Sequence, residues 1–153
     1  MAKATTSRQI NAPIEVVFDT IAHIENFSKA VPAIVSTEFV TEQTRGSGTR
    51  FLETREFRGK KMTHELKVGI YEPNSRVQMI SEAGGVIWDS MFTVEERDGG
   101  TLMTLGMEAR PQKFLARIMV PLMIKMCSSA VEGDMDSLKT YCEGLGSRSE
   151  SNE

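Results

Sequence analysis

The sequence predicts an α+β fold in which one long C-terminal helix covers the dry face of an antiparallel sheet. Three observations predict it. From Gln112 to Leu145 apolar residues recur at helical spacing over an arc wide enough to need a large partner surface. From Ile34 onward, turn signals arrive at Gly46-Ser47-Gly48, Gly59-Lys60, Pro73-Asn74, Gly84-Gly85 and Asp98-Gly99, separated by strand-length segments rich in Thr, Val, Ile and Phe. Pairing those segments across their turns places apolar residues opposite apolar residues on one face only.

Taken in order, Thr5 to Asn11 reads as a short first strand. Ala12-Pro13 opens a helix, with proline in the first turn where its missing N–H costs nothing, and Val16, Val17, Ile21 and Ile24 supply the apolar face. A second short helix, about Ile24 to Ala30, ends before Pro32. The meander of six strands and the long helix follow, and Gly146 to Glu153 reads as a disordered polar tail on a single domain spanning residues 1–145.

With two-residue turns, Arg55 is expected opposite His64, Glu53 opposite Leu66 and Phe51 opposite Val68. The next turn pairs Ile70 with Val77, Val68 with Met79 and Leu66 with Ser81. Further on, Ser81 meets Trp88, Met79 meets Ser90, Ser90 meets Met107 and Trp88 meets Ala109. A one-residue slip would scatter this face, whereas any other even-length turn would keep it. On the helix, Leu115, Ile118, Met119, Leu122, Met123, Met126, Met135 and Leu138 are expected to face the sheet, with Arg117, Lys125, Glu132, Asp136 and Lys139 on a polar stripe. Pro121 falls in that stripe and removes one backbone hydrogen bond, which makes it a candidate hinge.

The 153 residues are enough for one domain with a real core, and 40% hydrophobic with 25% charged residues is ordinary for a soluble protein. A formal charge of −3 gives no reason to expect nucleic acid as a partner. Ten methionines against two tyrosines suit a surface that adapts to more than one shape. The N-terminus shows no apolar signal region, and no run reads as a membrane span, so a cytoplasmic protein is expected. Cys127 and Cys142 lie roughly 22 Å apart along one helix, far beyond the about 7 Å a disulfide tolerates. They are expected as reduced, partly buried thiols. With only His23 and His64 available, no metal site or cofactor is implied; His64-Glu65 begins like a zinc-protease motif, but Val68 stands where its second histidine is needed.

Ile10-Asn11-Ala12-Pro13-Ile14-Glu15-Val16-Val17-Phe18, with Ile24-Glu25-Asn26-Phe27 and Val31-Pro32, resembles the opening of START-like domains, the superfamily of the Bet v 1 allergens and the polyketide cyclase/dehydrase-like proteins. Gly46-Ser47-Gly48-Thr49-Arg50-Phe51 resembles the second hairpin of that family, and the run from Asp134 to Glu143 its closing helix. The resemblance implies a helix-grip fold: a seven-stranded sheet curled around the C-terminal helix, in many members with a cavity for apolar molecules between the two. It implies no universal catalytic residues.

Few polar residues fall on the inward face: Glu53, Arg55, His64, Ser81 and Ser90. Apolar walls with a few orienting polar groups suit a small-molecule pocket. Arg55 and His64 are expected to meet a ligand's carbonyl, hydroxyl or carboxylate, with Trp88, Met107, Met119 and Met123 on its carbon skeleton. An arginine beside His64 disfavours imidazolium, so a neutral His64 serving as base, with Arg55 or Glu53, makes a cyclase or dehydratase the enzymatic alternative. The bland reading is that Glu53 and Arg55 simply pair with each other and His64 is an interior histidine. A third class is a protein-interaction module with a closed core. The leading expectation is a carrier of a small hydrophobic molecule, and the sequence leaves catalysis and a homodimer open.

Overall fold

The computed structural model describes residues 2–151, with side chains for 3–145. Strand β1 (Ala2–Ile10) leads into helices α1 (Ile14–Ala22) and α2 (Ile24–Ala30). Strands β2 (Ile34–Phe39), β3 (Arg50–Phe57), β4 (Lys60–Glu72), β5 (Arg76–Ala83), β6 (Val86–Arg97) and β7 (Gly100–Pro111) follow, and α3 (Phe114–Ser151) closes the chain. The seven strands form one antiparallel sheet in the order β1-β7-β6-β5-β4-β3-β2. This is the architecture expected above. Helix α3 runs past Leu145, where the sequence reading ends it, so the stretch read as a tail is helical as far as Ser151; Asn152 and Glu153 lie outside the described residues.

Across β5, β6 and β7 the register is the expected one: Ser81 pairs with Trp88, Met79 with Ser90, Ser90 with Met107 and Trp88 with Ala109. Two corrections apply elsewhere. The β3–β4 turn is Arg58-Gly59, both in the left-handed region (φ 52° and 80°), rather than Gly59-Lys60. A two-residue turn of this kind needs positive φ at both central positions, and Gly59 meets that need at the second. The strands therefore shift by two: Glu53 opposes His64, Arg55 opposes Met62 and Phe51 opposes Leu66. An even shift leaves every side chain on its expected face.

The β4–β5 connection takes three residues, with Asn74 at φ 56° and the Ser75 N–H donating to the Glu72 carbonyl at 3.0 Å. A bulge at Gly69-Ile70 absorbs the odd residue, so Val68 still meets Met79 but Tyr71, not Ile70, opposes Val77. Gly69 leaves room there for the Gln78 side chain. A Cβ would sit 2.4 Å from the Gln78 Oε1, the atom that accepts the Ile70 N–H at 3.1 Å. Tyr71 turns inward against Phe18, and Ile70 faces out.

The main core joins α1, α2, the sheet and the second half of α3 through Ile10, Val17, Ile21, Phe51, Met103, Met135, Leu138 and Cys142. A smaller, separate core at the far end holds Val86 and Ala109 of the sheet against Ala116 and Val120 of α3. The first half of α3 thus departs from expectation. Leu115, Ile118, Met119, Leu122 and Met126 are exposed, Leu115 by 75% and Met126 by 71%. The seam buried on the sheet is instead Ala116, Val120, Met135, Leu138 and Cys142, which share one helical face at multiples of three and four. The apolar band is wider than the surface beneath it, and the excess faces outward. By length and composition, Phe114–Leu145 contains a stretch apolar enough to cross a membrane, which the sequence reading did not expect; in this fold it is the helix that covers the sheet. Of the two thiols, Cys127 is exposed and Cys142 buried.

The two halves of α3 should therefore respond differently to truncation. Leu138→Ala is expected to cost about 2–5 kcal/mol, because it empties a fully buried site. Leu122→Ala should change stability by less than about 0.5 kcal/mol. Urea unfolding midpoints check both.

Candidate functional site

Alternation along β3 and β4 directs Glu53, Arg55 and His64 toward α3. What they meet there was only partly anticipated. The Arg55 Nε donates to Glu53 Oε1 at 2.5 Å, and its Nη1 donates to Asp134 Oδ2 of α3 at 2.8 Å. Glu53 is buried, whereas the Arg55 side chain keeps about a third of its surface. Burial alone would lower the guanidinium pKa, but the two carboxylates outweigh it and hold Arg55 cationic. Burial pushes the Asp134 carboxyl above the usual aspartate range; Arg55 opposes that rise, and the second carboxylate, Glu53, adds to it. Two carboxylates share one cation in a desolvated place.

At the opposite edge of the sheet, Arg8 of β1 makes the matching contact. Its guanidinium pairs with Glu132, and its Nε donates to Asp136 Oδ1 at 2.8 Å. Helix α3 is thus held at residues 132–136 by arginines from both sides of the sheet. Just beyond, the Lys139 ammonium donates to the Gln9 carbonyl, and Glu143 accepts the Asn11 N–H at 2.9 Å.

Between this clamp and the small far core lies a cavity of about 50 Å³, lined by Trp88, Leu105, Met107, Ile124, Cys127 and Val131, with Ala4, Thr5 and Thr6 of β1 along its side. Its walls are mainly apolar, with Ser128 and Glu132 of α3 and the two threonines of β1 as the polar part of the lining. It holds little more than water as it stands, since a drug-sized ligand needs about 300 Å³ or more. A larger concavity of about 450 Å³ lies at the other end of the molecule, among Glu15, Asp19, His23, Tyr71 and Asn74, but it is an open surface groove. His23 there is buried, which lowers its pKa, with Nε2 3.2 Å from Asp19 Oδ1.

Of the nine residues expected at the site, Trp88 and Met107 line the cavity. Met123 packs beside Trp88 on the small core, whereas Met119 is exposed on the outer side of the helix. Ser81 and Ser90 stand opposite and next to Trp88 and Met107 on the inward face, as expected. Arg55 and His64 are not paired across the strands; Glu53 is the residue facing His64. Glu53 and Arg55 do pair with each other, as the bland reading had it, but they recruit Asp134 as well. Asp134 and Arg8 were not among the residues expected at the site. Each carried a signal: Asp134 interrupts the apolar arc of α3, and Arg8 shares the inward side of β1 with Ile10 while Glu132 and Asp136 sit one helical turn apart.

A twisted antiparallel sheet of seven strands closed by a long C-terminal helix, with two short helices between the first two strands, is the helix-grip fold of START-like and Bet v 1-like proteins. Residues 1–143 match the model of the polyketide cyclase / dehydrase and lipid transport family, and the chain belongs to that family. No curated protein matches it by sequence. A solved protein of Thermus thermophilus is similar at TM-score 0.75 and 18% identity, covering 94% of this chain and 99% of that one. A START superfamily protein from Mycobacterium smegmatis is similar at TM-score 0.73 and 14% identity, over 94% and 98% of the two chains. The di-domain ARO/CYC BexL from the BE-7585A biosynthetic pathway matches at TM-score 0.76 and 16% identity; it covers 92% of this chain, which spans 46% of that one.

The shared guanidinium yields a pH prediction. Because the folded-state pKa of Asp134 is raised, the folded chain holds a proton that the unfolded chain has already lost. Stability should therefore fall as pH rises from the ordinary aspartate range through the raised value. Asp134→Asn carries no titrating proton and should flatten that part of the profile while keeping an oxygen for Arg55. Thermal melts of both proteins across acidic pH test this, and an unchanged slope in the variant would contradict it. Arg55→Ala should cost about 2 kcal/mol by leaving Glu53 buried without its cation, a figure reduced for the partial exposure of Arg55.

Proposed function

We propose that the chain binds a small hydrophobic molecule between the sheet and the first half of α3, centred on the cavity at Trp88, Met107 and Val131. The observation that carries this reading is the position of that cavity, at the seam between two cores and under the lightly packed part of the helix. Beyond the clamp, α3 rests on the sheet mainly through Ala116 and Val120, with Met123 and Ile124 partly buried beside them. Lifting that segment enlarges the cavity without disturbing the main core, and Pro121 within it already lacks one helical hydrogen bond. His64 and the Glu53–Arg55–Asp134 cluster, on the inward side of β3 and β4 and outside the cavity lining, would orient a carbonyl or hydroxyl on a guest that extends toward them.

The second reading is a cyclase or dehydratase, favoured by His64 standing opposite Glu53 and by the likeness to a di-domain ARO/CYC protein. Arg55 is committed to two carboxylates, so proton transfer would fall to His64 with Glu53. His64→Ala separates the readings. It abolishes turnover of a polyketide-like substrate in an enzyme and only weakens binding in a carrier.

Trp88 is the chain's one tryptophan, so its fluorescence reports on the cavity directly. Anilinonaphthalene sulfonate should quench it saturably by energy transfer. Val131→Phe should fill the cavity and weaken that binding at least about tenfold, since the apolar contact area offered to the probe is lost. Equal affinity in the variant would remove the cavity from the site. Native mass spectrometry of the purified protein then looks for a molecule carried through purification.

A further inference from the structure

The outward face of the first half of α3 has no partner among the described residues. Phe114, Leu115, Ile118, Met119, Leu122 and Met126 are all exposed, and at spacings of three and four along one helix they form a continuous apolar face of the kind that marks an interaction site. Charge around it is one-sided. The sequence from Ala109 to Val131 contains Arg110, Lys113, Arg117 and Lys125 and no acidic residue, in a chain of net charge −3; Arg110 is neutralised by Asp89 and Glu108, so Lys113, Arg117 and Lys125 carry the excess charge. Lys113, Arg117 and Lys125 are exposed.

A second patch of the same character lies at the same end of the sheet. In an antiparallel sheet the ends of β3, β5 and β7 fall together, and the Gln112 N–H donates to the Gly85 carbonyl at 2.8 Å, tying the start of α3 to the β5–β6 turn. The neighbouring β3–β4 tip exposes Phe57 and Met62 among Arg58, Lys60 and Lys61, with Glu56 its one acid. Phe57 alternates with Arg55 and Glu53, so it points to the α3 side of the sheet. Both patches therefore border the opening between α3 and the sheet.

We infer that this end of the molecule docks on an anionic phospholipid surface, with the apolar face of α3 and the β3–β4 tip entering the headgroup boundary. The chemistry is that of an interfacial helix: apolar side chains bury at the acyl boundary while lysine and arginine, on long flexible stems, stay among anionic headgroups. A second copy of the chain fits less well, because packing this face on itself would set Arg117 and Lys125 against their counterparts. Docking stands on exposure and charge alone, so it holds or fails separately from ligand binding.

Vesicle co-sedimentation of the full chain tests it, with phosphatidylglycerol–phosphatidylcholine vesicles against phosphatidylcholine alone. The protein should sediment with the anionic vesicles at least about tenfold more strongly than with the neutral ones, and high salt should weaken this. Leu115→Ser with Leu122→Ser should abolish sedimentation, and Arg117→Glu with Lys125→Glu should reduce it about tenfold or more. All four side chains are exposed, so circular dichroism and melting temperature should show both variants folded. Overturning results are a wild-type protein that stays in the supernatant, sedimentation that ignores lipid charge, or a solution dimer that the Leu115→Ser, Leu122→Ser variant dissociates.

Discussion

Two arginines, one from each side of the sheet, hold α3 at a single place. Arg55 reaches Asp134 from β3, and Arg8 reaches Glu132 and Asp136 from β1. The contacts differ in kind. Glu132 and Asp136 are largely solvated, and ion pairs of that sort contribute little net stability. The Glu53–Arg55–Asp134 cluster is mostly withdrawn from water, where losing one partner costs more than the pair contributes. Together they fix the rotation and height of the helix, and everything on either side of residues 132–136 follows from that.

On the C-terminal side, Met135, Leu138 and Cys142 enter a core shared with α1, α2 and the strands of the sheet. On the N-terminal side the same helical face meets the sheet mainly through small or β-branched residues, Ala116 and Val120, and Pro121 stands exposed on the outer side of this segment. The helix is thus firmly seated in one half and lightly seated in the other. The cavity sits where these regimes meet, and the exposed methionines and leucines lie over it on the outer side. A carrier of apolar molecules needs a wall that can move without unfolding the domain, and this division supplies one.

Most of the fold was legible in the sequence because alternation and turn chemistry are local. The β5, β6 and β7 pairings follow from Gly84-Gly85 and Asp98-Gly99, whose two-residue turns leave one choice of register. The β3–β4 register did not follow, because Arg58-Gly59 and Gly59-Lys60 both look like turns, and only the left-handed backbone at Arg58 decides between them. The exchange of Ile70 for Tyr71 rests on a bulge where the Gln78 side chain lies against Gly69 and accepts the Ile70 N–H, a relation between strands that no local pattern reveals. The inward polar residues were found by parity, but not their partners. Asp134 and Arg8 act through distance in space, 79 residues from Arg55 in one case and 124 to 128 from their partners in the other. The outward apolar face of α3 was misread for a different reason: periodicity shows how wide an apolar band is, and not how much of it the sheet can cover.

The division of α3 at the arginine clamp is the central claim, and segment-resolved hydrogen exchange tests it most directly. Backbone amides between Leu115 and Met126 should exchange at least about tenfold faster than those between Met135 and Cys142, because the first segment opens locally while the second opens only with the core. Equal protection along both segments would contradict the account, since the helix would then be seated as one piece and the cavity beneath it would have no wall free to move.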